Sequence, residues 1–345
     1  MAANTPRAGF EVGPIRPPSE ARSLLVRISR NCPWNKCAFC PVYKHSEGFS
    51  KRSVDEVLAD LDAMQAVYGD APRTVFLQDA DPLIGKPDDL VAIIEGVRAR
   101  FPGVKRITTY ARSKTLARKR PEDLQRIREA GLDRIHVGLE SGCDAVLTLM
   151  RKGITRAEQI EGGRRAKAGG FELSQYVMPG IGGKEHSAAH ADDTASAVAA
   201  VEPDFVRLRT TAVVPGSPLA ALEDEGRFTA LGEIETLTEI RRFLLGLEGV
   251  TTRLESDHSL NLLMELRGNL PQAWEELVGI CDEFLGLAEE AQVLFVLGRR
   301  LGRFTHLRHR TRPGADEELE ALRARFLPEG CEPESLFHKL RLKWI

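Results

Sequence analysis

The sequence predicts an α/β fold, namely a partial (β/α)6 barrel of the TIM type followed by a mainly helical C-terminal extension. Between residues 24 and 219, short apolar runs alternate with longer amphipathic runs, as in parallel strands linked by helices. This stretch allows about 33 residues for each of six units, the size of one strand and helix repeat. Long helical patterns replace the alternation afterwards. We therefore divide the chain into an N-terminal segment (1–23), a barrel (24–220) and an extension (221–345).

The individual elements follow from local patterns. We predict six strands, at residues 24–28, 75–77, 106–110, 134–139, 172–178 and 205–208. Ser53 and Glu56 form a capping box that opens the first helix, and Pro121 indicates the first turn of another. A further helix is expected near residues 88–100. The clearest helices of the extension are expected at residues 232–247 and 272–287.

Composition excludes several classes of protein. The 345 residues are 42% hydrophobic and 28% charged, with a net charge of −2, so no overall field attracts nucleic acid or an anionic membrane. No apolar run reaches about 18 residues, and the first twenty residues lack the pattern of a signal peptide. We therefore expect a cytoplasmic protein with no membrane partner.

Cys32, Cys37 and Cys40 form a C-x4-C-x2-C cluster directly after the first predicted strand. A closed zinc site needs four protein ligands, and His45 is the only near candidate for the fourth. An iron–sulfur cubane can instead be held by three thiolates, which leaves one iron open for chemistry. The presence of three nearby cysteine ligands rather than four therefore favours a reactive cluster over a structural zinc site. The other three cysteines are scattered singly and do not resemble a disulfide framework, at Cys143, Cys281 and Cys331.

Polar residues follow other predicted strands at their carboxyl ends, where barrels of this type carry their sites. Asp79 and Asp81 follow the second strand, and Glu140 and Ser141 follow the fourth. The alternation of side chains along the fourth strand turns Glu140 towards the barrel interior, where a charge needs a partner. These groups and the cysteine loop are expected at one rim.

The cysteine cluster after a first strand, with Phe39 before its last cysteine, resembles the radical S-adenosylmethionine (SAM) superfamily. The similarity extends over the predicted barrel. Residues 137–142 (Val-Gly-Leu-Glu-Ser-Gly) look like the SAM-binding segment of relatives of oxygen-independent coproporphyrinogen oxidase and the methylthiotransferases, and residues 177–183 look like their Gly-rich fifth-strand segment. The commonest spacing in the family is C-x3-C-x2-C, so the four residues between Cys32 and Cys37 point to a less usual subfamily.

The resemblance implies a [4Fe-4S] cluster on the three cysteines, with SAM bound to the iron that no cysteine holds. An external electron donor of the flavodoxin or ferredoxin type would supply one electron, SAM would be cleaved, and a 5′-deoxyadenosyl radical would take a hydrogen atom from the substrate. The implied SAM contacts are Phe39, Asp79, Asp81, Glu140, Ser141, Val177 and Gly180. The alternatives are an aromatic side chain that fills the barrel mouth for Phe39 and helix capping for the two aspartates.

Arginines suggest the kind of substrate. Strand alternation turns Arg27, Arg207 and Arg209 inward, and Arg112 follows the third strand. Guanidinium groups favour a carboxylate or phosphate, so we expect a small anionic substrate, and the alternative is pairing with internal carboxylates. His258 is a candidate for proton transfer, against a structural role.

Two further hypotheses stay open. Residues 299–312 hold six arginines and two histidines, and such a run is usually a solvated surface, so nucleic acid is not an expected partner although RNA modification remains an alternative. A non-catalytic iron–sulfur or zinc protein that acts as scaffold or electron carrier is the other alternative. The short stretch before the first strand and the single group of cysteines lead us to expect neither a cobalamin domain nor an auxiliary cluster.

Overall fold

The computed structural model describes residues 9–44 and 48–344. The described residues form ten strands, numbered along the chain: β1 (Leu24–Arg27), β2 (Ser29–Arg30), β3 (Ser50–Lys51), β4 (Thr74–Gln78), β5 (Arg106–Ala111), β6 (Arg134–Glu140), β7 (Glu172–Val177), β8 (Phe205–Leu208), β9 (Thr252–Glu255) and β10 (Gly268–Leu270).

The same residues form thirteen α-helices: α1 (Val54–Tyr68), α2 (Pro87–Arg100), α3 (Ser113–Arg118), α4 (Pro121–Glu129), α5 (Asp144–Leu149), α6 (Arg156–Ala168), α7 (Gly183–Val201), α8 (Pro218–Asp224), α9 (Glu233–Leu245), α10 (Trp274–Leu285), α11 (Glu289–Arg300), α12 (Ala315–Phe326) and α13 (Pro333–Arg341). Short 3-10 helices lie at Pro18–Glu20, Pro82–Ile84, Leu307–Thr311 and Leu342–Trp344.

The described residues belong to two compact units. The first lies within Met1–Leu139 and Arg151–Gln175, and the second within Glu140–Met150 and Tyr176–Ile345. The boundary that we place at residue 220 from sequence patterns stays a prediction.

The first unit is built on parallel strands in the order β1, β4, β5, β6 and β7. Leu24 of β1 lies opposite Val75 of β4, and Thr108 of β5 lies opposite Arg134 of β6. Helices follow most of these strands, as parallel pairing requires a crossover. The side chains of Val75, Phe76 and Leu77 are at most 1% exposed, so β4 is buried on both faces.

Local signals explain where the helices of the first unit begin. Ser53 accepts from the N–H of Glu56 and the Glu56 side chain accepts from the N–H of Ser53, which is the predicted capping box of α1. A second capping box, of Thr155 and Glu158, opens α6. Proline occupies the first turn of α4, as predicted at Pro121.

The second unit contains most of the predicted C-terminal extension, which is mainly helical as expected. The predicted helices near 232–247 and 272–287 correspond to α9 and α10. β8 pairs in parallel with β9, and β9 pairs with β10 in antiparallel fashion. β9 and β10 are not among the predicted strands, because they are short and carry few apolar residues. With these additions, the predicted fold class, a partial TIM-type barrel with a helical extension, is confirmed.

The arginine-rich run at residues 299–312 is not wholly a solvated surface. Arg299 and Arg300 are each 2% exposed. Arg299 donates to backbone carbonyls that include Leu262, and Arg300 forms a 2.6 Å ion pair with Glu233. The run therefore contributes to the interior of the second unit.

None of the helices in the described ranges combines the length and apolar character needed to cross a lipid bilayer.

Candidate cofactor site

The cysteine loop follows β2 in the first unit. The side chains of Cys32, Cys37 and Cys40 are all partly exposed. The backbone N–H of Asn35 donates to the sulfur of Cys32 at 3.4 Å. A donor of this kind stabilises a thiolate, which is the form of cysteine that binds metal.

Hydrogen bonds inside the loop fix its path. The side-chain amide of Asn35 donates to the carbonyl of Tyr43 at 2.7 Å, and the Lys44 ammonium donates to the carbonyl of Asn35 at 2.7 Å. Asn31 and Asn35 adopt positive φ angles of 68° and 46°, a conformation that asparagine tolerates better than most residues. The sequence therefore supplies residues that suit the sharp turns of this loop.

Trp34 attaches the cysteine loop to the turn that precedes α6. Its indole N–H donates to the carbonyl of Arg151 at 2.8 Å, and its ring lies so close to Gly153 that a Cβ there would be 2.2 Å from it. The guanidinium of Arg112 lies 5.3 Å from the Trp34 ring centroid. A cation in this position is attracted to the face of an indole. Arg112, expected from the sequence at the end of the third strand, thus lies beside the cysteine loop.

Phe39 is half-buried, and the ammonium of Lys152 lies 5.6 Å from the centroid of its ring. Lys152 belongs to the same turn that Trp34 contacts. The two aromatic residues of the loop thus both face residues 151–153.

Asp79 lies next to the cysteine loop and has no exposed surface. One of its oxygens accepts from the Arg27 guanidinium at 2.6 Å and from the N–H of Asn31 at 3.2 Å. The other accepts from the Tyr43 hydroxyl at 2.9 Å. Burial raises the pKa of Asp79, whereas Arg27 acts to lower it. Asp79 therefore holds both ends of the cysteine loop.

Arg27 is engaged inside the protein. Besides Asp79, its guanidinium donates to Glu11 at 2.7 Å. This is the internal pairing that the sequence analysis left open as the alternative to substrate binding. Tyr43 is also buried, and burial together with the Asp79 charge raises the pKa of its hydroxyl, which stays a hydrogen-bond donor.

Asp81 follows β4 and is buried, and its carboxylate contacts the start of α3. Its two oxygens accept from the N–H of Arg112 at 3.2 Å and from the hydroxyl of Thr115 at 2.5 Å. Burial raises the pKa of Asp81 to about 6. These contacts are those of a carboxylate that caps a helix N-terminus, the structural alternative to cofactor binding.

The donor set of the loop fits an iron–sulfur cluster. Thiolates are the preferred ligands of such clusters, and each cysteine binds a different iron, so three ligands need not converge on one point. No three His, Cys, Asp or Glu side chains in residues 9–44 and 48–344 gather into a group that could hold a single metal ion. His45, the near candidate for a fourth zinc ligand, lies outside the described residues.

In the second unit, Glu140 ends β6 with a positive φ of 63°, a strained conformation for glutamate. The carbonyl of Glu140 accepts from the N–H of Met178 at 3.0 Å. Ser141 has no exposed surface, and its hydroxyl accepts from the N–H of Cys143 at 3.0 Å. The two predicted SAM-binding segments, after the fourth and fifth predicted strands, are therefore hydrogen-bonded to each other.

Val177 ends β7, and its carbonyl accepts from the N–H of Arg209 at 2.9 Å. Gly180 follows with a φ of 83°, which glycine adopts without strain. The N–H of Gly180 donates to the carboxylate of Glu239 at 2.6 Å. Sequence reasoning missed Glu239. A signal was present, since a glutamate on the apolar face of an amphipathic helix needs a buried partner, here beside Thr236, Ile240 and Phe243.

The remaining substrate candidates lie in the second unit. Arg207 is buried and pairs with Asp257 at 2.5 Å, whereas Arg209 is exposed. Burial and the charge of Arg209 lower the pKa of His258 to about 4, so its ring is neutral near pH 7. The His258 ring accepts from the N–H of Leu260 at 3.2 Å, which is a turn contact of the structural kind. Arg209 thus lies near His258, and Arg207 is neutralised by an internal partner.

Part of the chain matches a known protein family. Residues 26–193 match the model of the radical SAM superfamily, and this range includes the cysteine loop, β4, β6 and β7. This segment is a radical SAM domain. Enzymes of the radical SAM superfamily use a [4Fe-4S] cluster and SAM, so the predicted family and cofactors are confirmed.

Individual relatives align with part of this chain. It is 26% identical over 203 residues to an uncharacterised methyltransferase of Pyrococcus horikoshii, with 56% of this chain and 40% of the relative aligned. It is 29% identical over 216 residues to a tRNA-2-methylthio-N(6)-dimethylallyladenosine synthase of Alkalilimnicola ehrlichii, with 60% of this chain and 47% of the relative aligned. The chain thus spans less than half the length of these curated relatives.

Among solved structures, coproporphyrinogen III oxidase from Escherichia coli, described as a radical SAM enzyme, aligns with a TM-score of 0.48 and 15% identity. The alignment covers 66% of this chain and 52% of that protein.

Proposed function

We propose that this protein is a radical SAM enzyme that holds one [4Fe-4S] cluster through Cys32, Cys37 and Cys40 and cleaves SAM reductively. The observation that carries the proposal is the loop of three cysteines, inside the matched radical SAM segment, at the carboxyl end of β1 and its continuation β2. Barrels of this class place their sites at that end of the strands.

A bound and reduced cluster would supply the electron that cleaves SAM to methionine and a 5′-deoxyadenosyl radical, and this radical would abstract a hydrogen atom from the substrate to give 5′-deoxyadenosine. The electron would come from an external one-electron donor of the flavodoxin or ferredoxin type. The residues of this chain bind and orient the reactants.

Several residues have proposed positions around SAM. Phe39 would contact the adenine, and Glu140 with Ser141 would border the ribose. Gly180, whose missing side chain permits close approach, would line the adenine pocket with Val177. Asp79 and Asp81 are the other two expected SAM contacts. Their hydrogen bonds to loop and helix N–H groups support a role in holding the cysteine loop and α3.

Anaerobic reconstitution with iron and sulfide tests the cluster assignment. We expect about four iron atoms per chain in the wild type, and a perturbed electron paramagnetic resonance spectrum of the reduced protein when SAM is added. Single Cys→Ala changes at Cys32, Cys37 or Cys40 should lower the bound iron and abolish release of 5′-deoxyadenosine. Cys331→Ala is the matched control, because this free and partly exposed thiol lies outside the loop.

Two results would reject the proposed activity. A loaded cluster whose spectrum does not respond to SAM would favour the alternative of a non-catalytic scaffold or electron carrier. Tight binding of zinc in place of the cluster, with equal metal content in the Cys37→Ala variant, would reject the iron–sulfur assignment.

For the substrate we infer a small anionic molecule. Arg209 is the strongest candidate contact, since its guanidinium is exposed near His258, whereas Arg207 is paired with Asp257. Arg112, stacked on Trp34, is a second candidate beside the cysteine loop. A guanidinium binds carboxylate or phosphate through two parallel hydrogen bonds.

This inference predicts that the low-molecular-weight fraction of a cell extract increases 5′-deoxyadenosine release by the wild type. Arg209→Glu should remove the increase and leave cluster content unchanged. Arg227→Glu is the control, because Arg227 is an exposed arginine of the same unit whose partner is Glu225. An unchanged response of Arg209→Glu would eliminate Arg209 as a substrate contact.

RNA modification is the second candidate function, because one relative of 29% identity is a tRNA-modifying enzyme by name. The burial of Arg299 and Arg300 removes two charges from the run that had suggested it. Total RNA added in place of the small-molecule fraction separates the two candidates. Stimulation by RNA alone would replace the small-substrate proposal.

A further inference from the structure

A buried polar network in the second unit connects the two segments proposed to border SAM with the C-terminal helices. It consists of Glu239 on α9 and of His190, Ser187 and Thr194 on α7. Glu239 is 4% exposed and accepts from the N–H of Gly180 and from the hydroxyl of Ser187, each at 2.6 Å. A buried carboxylate is costly, and both of its oxygens are satisfied here.

His190 extends the network to the loop after β6. It is 2% exposed, and its Nδ1 lies 2.8 Å from the hydroxyl of Ser141. The ring also hydrogen-bonds to the backbone of Met178, and its Nε2 lies 3.6 Å from the Glu239 carboxylate. Burial lowers the pKa of His190 to about 4, so the ring is neutral and has one donor and one acceptor.

The loop after β6 is packed so closely against α7 that no side chain fits at Gly142. The N–H of Gly142 donates to the Thr194 hydroxyl at 2.8 Å, and a Cβ on Gly142 would lie 2.4 Å from the carbonyl oxygen of Asp193. The segment after β7 contains three glycines among residues 180–183, a residue type whose backbone has many accessible conformations. This segment needs an external contact to hold one conformation.

We propose that Glu239 is a positioning residue of the SAM pocket that fixes the Gly180 backbone directly. The proposal rests on the function proposed above, in which Gly180 lines the adenine pocket. His190 holds Ser141 and Met178 in the same network, so α7 and α9 together set the spacing of the two pocket segments. In this proposal α9, which lies after the predicted barrel in the sequence, contributes Glu239 to the cofactor site.

The full chain with a reconstituted cluster tests this assignment. In Glu239→Ala, the dissociation constant of SAM, measured by its effect on the electron paramagnetic resonance spectrum, should rise about tenfold. Iron content should stay at the wild-type level. Amide hydrogen exchange at Gly180, measured without the cluster, should become faster because its hydrogen-bond acceptor is gone.

The conservative variant Glu239→Gln should retain wild-type SAM affinity and exchange. Its amide oxygen still accepts from Gly180, and its amide nitrogen donates to Ser187. Arg242→Ala is the matched control on the same pair of helices, since it removes only an exposed ion pair with Asp192. If Glu239→Ala does not fold, Glu239→Asp serves instead, because the shorter side chain withdraws its oxygen from Gly180.

Wild-type SAM affinity in Glu239→Ala or Glu239→Asp would overturn the proposal. Equal loss of affinity in Glu239→Gln and Glu239→Ala would also overturn it, since the hydrogen bond to Gly180 would then be irrelevant. Failure of the proposed function looks different, because the wild type itself would then show no response to SAM.

Discussion

At the scale of single residues, the partners of a buried side chain determine whether it is charged in the folded protein. Glu233 is 1% exposed and lies between Arg300 at 2.6 Å and Arg341 at 2.8 Å. Burial by itself would raise its pKa, but the two arginines lower the pKa of Glu233 to about 2. The charged form is therefore the stable form in the folded protein.

Glu233→Gln should lower the free energy of unfolding by roughly 3–5 kcal/mol, because it leaves two buried guanidinium groups without a counter-charge. The contribution of Glu233 is present above its unfolded pKa of about 4.5 and is lost as the pH falls towards 2. Urea unfolding at neutral pH and near pH 3 measures both effects. Glu225→Gln, at an exposed ion pair, should change stability by less than about 0.5 kcal/mol.

At the scale of secondary-structure elements, close packing requires glycine at positions that include Gly162 and Gly153. Gly162 of α6 lies against α3, where a Cβ would be 2.3 Å from the carbonyl oxygen of Ser113. Gly153, with a φ of 71°, lies against the ring of Trp34. The first contact packs two helices, and the second attaches the cysteine loop.

Gly162→Ala should destabilise the protein by roughly 1–3 kcal/mol, because the two helices must move apart. Gly279→Ala in α10 is the matched helical control, and no atom lies within 4 Å of a Cβ at that position. There the change should stabilise by roughly 0.5–1 kcal/mol, since alanine has the higher helix propensity. Thermal unfolding of both variants checks the opposite signs, and destabilisation of equal size in both would contradict the packing argument.

Gly153→Ala should reduce the iron bound after reconstitution, because a methyl group there displaces Trp34 and with it the cysteine loop. Gly69→Ala is the control, since Gly69 has a positive φ of 52° and open space around it. It should cost only the backbone strain of φ 52° and ψ −137°, roughly 1–3 kcal/mol, and bind iron as the wild type does. Equal iron content in both variants would show that the contact between Gly153 and Trp34 is not needed for cluster binding.

At the scale of the whole molecule, the dependence of stability on pH contains opposing contributions. Burial raises the pKa of Asp81 to about 6 and that of Glu239 to about 7. Their stabilising contribution is present below the unfolded pKa values and is lost as the pH rises through 6 and 7. His190 and His258, with pKa values lowered to about 4, act in the opposite direction, and their contribution is lost as the pH falls.

The carboxyl contributions can be isolated in a double variant, Asp81→Asn with Glu239→Gln. Between about pH 5 and pH 8 the wild type should lose roughly 1–2 kcal/mol through Asp81 and roughly 2–3 kcal/mol through Glu239 relative to this variant. Urea unfolding midpoints of both proteins across this range provide the measurement. Parallel pH profiles would show that neither carboxyl titrates in that range.

Local patterns in the sequence are enough to predict the fold class, the six strands of the barrel and the cysteine loop. Apolar periodicity reports on strands and helices, and the spacing of Cys32, Cys37 and Cys40 reports on a cluster, because both depend only on residues close together in the chain. The strand-end positions of Asp79, Glu140 and Gly180 follow from the same periodicity. These features required no knowledge of distant contacts.

Only the tertiary structure decided which partner each buried charge takes. Asp79 meets Arg27, 52 residues away in the chain, and Glu239 meets Gly180, 59 residues away. Alternation along a strand tells which way a side chain points but not which group stands opposite. The physical reason is that a buried charge is stabilised by whichever donors packing brings within hydrogen-bond distance, and packing is set by the whole chain.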